Sequence, residues 1–309
     1  MFQSERKKST GIDLPEATQN MAGMRIGLVR YLNARPLDYG LRSAADLHAS
    51  GSTAGDAPEI LRSFFSGAGS AGLTLIEETP SQLFQMLRAG QLDAALISSV
   101  ECLRNPDLFG YCPTVGVCAR SEVYSIVYIR RRTTGPVHFE SPVRRILADS
   151  GSRSSIALLE ALYFQANGVL PEIQSEEPDR IVERLGPDEG GLLIGDGALR
   201  FLDQMRDHPD STIEHLDLAG WWHRSEQLPF VFALWAYPKS RPVPDAVFEA
   251  SLTAGENNIT AIIAAAGRSD ARRYLTENLH YRLGLSECAA LQRFHERLAA
   301  AGLLGPDAA

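Results

Sequence analysis

Three strand-to-helix junctions and one asparagine are the places where this chain could do chemistry. In the stretch 25–37, RIGLVRYLNARPL, a short apolar run ends in turn formers, and Asn33 stands just past it. Ser98 and Ser99 follow the apolar run 93–97 at once. Ser150, Ser152, Arg153, Ser154 and Ser155 separate VRRILAD from a long helical pattern, and Asp196 lies between Gly195 and Gly197 after another apolar run. A helix amino end offers free backbone N–H groups and a favourable dipole, so hydroxyls placed there suit an anion such as a carboxylate. Arg153 would add charge-assisted bonds. Asn33, both donor and acceptor, would present a neutral amide where α/β sheets bind ligands, at the carboxyl ends of strands. The same residues also admit plainer roles: Ser152 as a helix N-cap, Ser98 or Ser99 likewise, Asp196 as a turn stabiliser, and Asn33 satisfying its own turn. One cap explains one serine of the 150–155 cluster and leaves three.

The elements that must position these residues follow from pattern. A helix is expected over 36–45, then a strand at 73–77. Thr79, Pro80 and Gln82 make a helix start, with Thr as cap, Pro at the first turn and Gln three residues after the cap, and that helix ends near Gly90. Strands are expected at 93–97, 114–119 and 123–130, the last with Ser125 near its beginning. Helix 156–167 closes at Gly168, and 230–237, FVFALWAY, reads as a buried strand before a helix-rich remainder from 243 to 304. Strands alternating with helices indicate a two-lobed α/β fold. The Gly/Ser/Ala-rich stretch 49–57 is expected to loop out. GAGSAG at 67–72 matches a dinucleotide fingerprint only formally, because a helix precedes it and a strand follows, the reverse of what that motif requires.

Composition narrows the function. The 309 residues, 44% hydrophobic and 22% charged, suit a packed protein of two ordinary lobes. A net charge of −8, with basic triplets only at 6–8 and 130–132, argues against nucleic acid as partner. The longest apolar runs are too short to span a bilayer, so no membrane association is expected. Cys102, Cys112, Cys118 and Cys288 show no CxxC spacing, which fits a reduced compartment, and the polar first 22 residues read as a disordered extension. The expected location is the cytoplasm. Seven histidines avoid the junctions, and neither HExxH nor GxSxG occurs, so neither a metal site nor the commonest hydrolase elbow is expected. Trp221, Trp222 and Trp235 are expected in the core or between lobes.

Five segments in order, RIGLVRYLNARPL, LDAALISSVECLRN, SGSRSSIALL, LLIGDGAL and LPFVFALWA, resemble the chorismate dehydratases that open the futalosine route to menaquinone. The resemblance runs from about Met24 to the C-terminal helices. It implies a two-lobed fold like the type II periplasmic binding proteins, with a central ligand cleft. Lobe 1 would hold 24–121 and, after a lobe 2 of 122–230, the return 231–309 with its helices; residues 1–23 would be an extension. The implied reaction is the aromatising loss of water from chorismate, giving 3-[(1-carboxyvinyl)oxy]benzoate with no metal or organic cofactor. Asn33 and Ser125 would be catalytic, while Ser98, Ser99, Ser152, Arg153, Ser154 and Ser155 would bind the substrate carboxylates and Asp196 would hold a turn. The chain departs from the pattern in its long, Gly/Ala-rich span 43–72, in Arg30 and Arg35 beside YLN, and in Glu122 near the lobe crossing, where an acid in the cleft would oppose an anionic ligand. Two alternatives share the fold: a non-catalytic solute-binding protein for a small carboxylate, and the sister 1,4-dihydroxy-6-naphthoate synthase, whose strand leads into a Cys/Pro/Asn/Asp run where this chain has YLNARP. The oligomeric state is left open by the sequence.

Overall fold

The apolar run of the first motif is β1 (Met24–Val29), buried along most of its length because both faces of its sheet are covered. The computed structural model describes residues 23–50, 57–66, 72–131, 141–149, 151, 153–210 and 212–305. After β1 come α1 (Arg35–Ser50), α2 (Glu59–Ser66), β2 (Leu73–Glu78), α3 (Pro80–Arg88), β3 (Ala94–Ser98), α4 (Ser99–Arg104) and β4 (Phe109–Ala119). The chain then builds β5 (Ile126–Arg131), β6 (Arg145–Ala148), α5 (Arg153–Asn167), β7 (Ile173–Ser175), α6 (Pro178–Arg184), β8 (Glu189–Ile194), α7 (Gly195–Asp207), β9 (Ile213–Asp217) and α8 (Leu218–Glu226). It returns through β10 (Phe230–Pro238), α9 (Asp245–Asn257), α10 (Ile259–Ala266), α11 (Ala271–Arg273), a π-helical turn Tyr274–Asn278, β11 (Leu279–Arg282) and α12 (Leu285–Ala300).

Two sheets result. The first has the order β11-β4-β10-β3-β1-β2, and the second β7-β6-β8-β5-β9. In the first, β1 runs parallel to β2 and β3, whereas β10 runs antiparallel to β3 and β4. The second repeats this mixture, with β6 parallel to β7 and β8, and β5 antiparallel to β8 and β9. The expected strands at 114–119 and 123–130 therefore do not pair with each other: β4 stays in the first sheet and β5 opens the second. The chain crosses between sheets from Ala119 to Ile126, and again after β9 on the way to β10.

Local rules account for several elements. The Thr79 hydroxyl accepts from Gln82 N at 3.3 Å while Gln82 Oε1 accepts from Thr79 N at 3.4 Å, so α3 starts in the expected capping box. Along β5 the side chains alternate: Ile126 and Tyr128 enter the main core, which draws residues from both sheets, and Val127 and Ile129 enter a smaller cluster with Ile181 of α6 and Ala198 and Phe201 of α7. Trp221, Trp222 and Trp235 are all buried in the main core. The extension 1–22, the spans 51–56 and 67–71 within the long segment 43–72, and Ser150 and Ser152 lie outside the described residues.

Candidate active site

The two lobes leave a cleft of about 230 Å³ whose walls come from the strand ends and helix starts of both sheets. Asn33 reaches it from a short 3-10 turn, Leu32–Ala34, that follows β1 and is closed by Ala34 N donating to Tyr31 O at 3.1 Å. The backbone thus satisfies the turn, and the Asn33 side chain is left to act on the phenol of Tyr274, whose hydroxyl it holds down against the effect of burial. That phenol donates to Ser125 Oγ at 3.0 Å. Burial pushes the Tyr274 hydroxyl up to about 12, so it is a neutral donor across the physiological range.

Ser125 is held from behind. Tyr124 before it has φ 62°, the left-handed region that costs a non-glycine residue strain. Asp217, the N-cap of α8, holds this bend: its Oδ2 accepts from Tyr124 N at 2.6 Å and from Val123 N at 3.0 Å, and its Oδ1 accepts from Gly220 N at 2.8 Å. Burial raises the Asp217 carboxyl to about 6, against those three donors. On the other side Gly195 N donates to Ser125 O at 2.7 Å, which ties the start of α7 to the lobe crossing. Gly195 itself has φ 56°, and it lets the chain turn from β8 straight into α7.

Lobe 2 contributes the helix starts. Gly195, Asp196 and Gly197 at α7 and Ser155 at α5 line the cleft facing Tyr31, Asn33 and Ser98 of lobe 1. Ser98 sits at the N-cap position of α4 without a side-chain cap bond. Asp196 points outward enough to pair with Arg268 at 3.1 Å, and Arg200, also on the wall, pairs with Asp179 at 3.0 Å on the surface. A further acid that sequence reasoning missed is Asp149, directly after β6: its Oδ1 accepts from Gly151 N at 2.8 Å, and burial raises its carboxyl. The Tyr31 phenol is raised by burial and then by the carboxylates of Asp149 and Asp196.

The structure gathers Asn33, Ser98, Ser125 and Ser155 at the cleft and puts Ser99, Arg153 and Ser154 elsewhere. Ser99 donates to Val231 O at 2.6 Å and lies 3.2 Å from Ser154 Oγ, which also accepts from Val100 N at 3.2 Å; both serines are fully buried. Arg153 pairs with the buried Glu101 on α4. These three residues bind one lobe to the other, because α4 and α5 meet start to start and their polar groups satisfy one another before any ligand arrives. Glu122 accepts from Tyr124 Oη at 2.8 Å and is not on the cleft wall. Arg30 pairs with Glu78, and Arg35 with Asp38 and Glu77, and neither lines the cleft. Tyr274 was not singled out from sequence; its only local mark is the irregular π-helical turn that carries it.

Hydroxyl and amide groups, helix amino ends and apolar side chains such as Leu96 and Phe232 line the cleft together, a combination that suits a small, rigid organic anion. Among the described residues no group of three or more His, Cys, Asp or Glu is placed to hold a metal ion, and no helix is long and apolar enough to cross a membrane.

Comparison with known proteins bears on this arrangement. A family model described as menaquinone biosynthesis matches residues 24–300. The chorismate dehydratase of Thermus thermophilus is 26% identical over 292 residues, covering 88% of this chain and 94% of its own. That of Campylobacter jejuni is 25% identical over 234 residues, covering 70% and 79%. Among solved structures, the periplasmic aliphatic sulphonate binding protein SsuA of Escherichia coli superposes with a TM-score of 0.55 at 14% identity, covering 93% of this chain and 90% of that one. This last likeness is one of fold, and it bears out the two-lobed α/β arrangement of the type II periplasmic binding proteins.

Proposed function

This chain belongs to the menaquinone-biosynthesis family, and from that premise we propose that it is a chorismate dehydratase, a lyase that removes water from chorismate to give 3-[(1-carboxyvinyl)oxy]benzoate. The observation that carries the reading to this site is the convergence of Asn33 and Ser125 on one buried phenol at the cleft floor.

The chemistry asks little of side chains beyond placement. Chorismate has two carboxylates, and the ring carbon that bears the enolpyruvyl ether carries a proton vinylogous to the ring carboxylate. Taking that proton sends the electron pair toward the ring carboxylate. The neighbouring C–O bond then breaks, its hydroxyl leaves as water once protonated, and an aromatic ring results. No oxidant or reductant enters the balance, and aromaticity supplies much of the driving force. The substrate's own enolpyruvyl carboxylate accepts the ring proton and passes it to the departing hydroxyl. Ser125 holds the reacting edge, and Asn33 hydrogen-bonds the departing hydroxyl or a carboxylate. Ser98, Ser155 and the amino end of α7 receive carboxylate charge, and the backbone N–H groups of α7 are already fixed in direction, so little reorganisation is needed there as charge moves. The alternative reading, a solute-binding protein, shares the fold but leaves the Asn33–Tyr274–Ser125 cluster without a task.

A cytoplasmic location is part of the proposal: all four cysteines are free thiols, as in a reducing compartment. The decisive assay incubates purified protein with chorismate, without added cofactor, and follows formation of the enolpyruvyl benzoate by chromatography. Product formation is expected. Binding without product would favour the solute-binding reading, and no binding would sink both.

A further inference from the structure

We propose that Tyr274 is a positioning residue for this reaction: its hydroxyl fixes the direction of the Ser125 hydroxyl, so that the proton of Ser125 is turned toward the substrate. The inference rests on the dehydratase reading above and adds to it a residue from the far end of the chain.

A serine hydroxyl has three staggered side-chain positions, and its proton rotates freely among acceptors. Here each freedom is removed. The backbone of Ser125 is fixed by Gly195 N on its carbonyl and, through Tyr124, by Asp217. Tyr274 has one O–H to give, and it gives it to Ser125 Oγ at 3.0 Å. With that lone pair occupied from the Tyr274 side, the Ser125 proton is directed away from the phenol, and the cleft lies on its other side. The Asn33 amide stands at the same phenol on the cleft and stabilises its oxygen. A donor set in direction before substrate arrives avoids reorganisation during the reaction.

The ring has a second neighbourhood. Besides the cleft, Tyr274 lines an adjoining cavity of about 240 Å³ shared with Tyr124, Leu199 and Arg273. The phenol is therefore a partition as well as a donor, and the two roles separate cleanly by substitution. Tyr274→Phe keeps the partition and removes only the hydrogen bond.

The test compares wild type, Tyr274→Phe, Ser125→Ala and the double variant in steady-state turnover of chorismate, with thermal unfolding alongside. Tyr274→Phe is expected to lower kcat about 10- to 100-fold, the loss of one preorganised hydrogen bond, while KM stays within about twofold. In the Ser125→Ala background the same change should cost nothing further, because the group it positions is gone. Losses that multiply in the double variant, or a raised KM with unchanged kcat, would overturn the inference. Replacing Tyr274 by 3,5-difluorotyrosine preserves the fold if the Phe variant does not fold; the more acidic phenol should lose turnover at an alkaline pH where wild type retains it, and an unmoved profile would count against positioning. Wild-type turnover with an unimpaired Tyr274→Phe overturns this inference alone. A wild type that makes no product from chorismate overturns the proposed function and this inference with it.

Discussion

Tyr274 Oη donates to Ser125 Oγ at 3.0 Å across 149 positions of sequence, and the side chain of Asn33 meets the same phenol. The contact joins the turn after β1, the lobe crossing and the C-terminal return, so the site exists only when all three parts of the chain are in place.

Asn33→Ala and Ser125→Ala should each lower chorismate turnover by about 100-fold or more, the range expected for removing a placed donor in a preorganised site. Steady-state kinetics checks this, and full turnover in both variants would reject the assignment.

The groups that clamp α4 to α5 should govern stability instead. Ser154→Ala strips the acceptor from Val100 N and the partner from Ser99, both buried, at a cost of about 1–3 kcal/mol. Arg153→Met takes the ion-pair partner from Glu101, 1% exposed, and leaves it only Arg104 and Arg88; a buried charge wholly stripped of partners costs about 3–5 kcal/mol, so the loss should fall below that. Urea unfolding measures both. KM for chorismate should stay within about twofold if these residues hold the lobes and not the substrate.

Gly255→Ala should reverse the usual helix preference. Alanine normally stabilises a helix by about 1 kcal/mol over glycine. At position 255 of α9, however, a Cβ would fall on the carbonyl of Pro36, just after the turn that carries Asn33. The expected result is a loss of about 1–3 kcal/mol from overpacking, together with reduced kcat from a residue outside the cleft wall. Unfolding and kinetics on the one variant test both effects.

Asp149→Asn retains an oxygen for Gly151 N and removes a negative charge from the cleft wall. Coulomb attraction regained by a carboxylate substrate is worth about 1 kcal/mol in a water-like medium, so KM should fall roughly fivefold with kcat little changed. A collapse of kcat would make Asp149 the proton acceptor in place of the substrate carboxylate.

Alkaline pH gives a further check. Burial raises the Tyr274 phenol to about 12 from an ordinary 10.0. A group whose folded value lies above its unfolded one stabilises the fold fully below the unfolded value and loses that contribution as pH rises through the folded one. Stability from Tyr274 is therefore complete below about pH 10 and declines from there toward 12. Urea unfolding at intervals over this window should show a shallower decline in Tyr274→Phe than in wild type, and kcat should show no loss from this phenol up to about pH 10.

The sequence alone determined what depends on neighbours along the chain. The apolar run and its turn formers placed Asn33 past the end of β1, Thr79, Pro80 and Gln82 fixed the start of α3, and Gly168 marked the end of α5, whose start at Arg153 lies three residues before the expected 156, because strand period, capping and glycine stops act over a few residues. Short β7, β9 and β11 carried too few residues to show a period. Tertiary structure alone decided that β4 and β5 part into different sheets and that Ser99, Arg153 and Ser154 bind each other's lobes. It also decided that the partner of Asn33 is a tyrosine from the far end of the chain. An arginine satisfies a substrate carboxylate and Glu101 by the same physics, and a serine bonds a ligand or a neighbouring hydroxyl equally well. Residue type names the bond that can form, and only the packing of distant segments selects the partner.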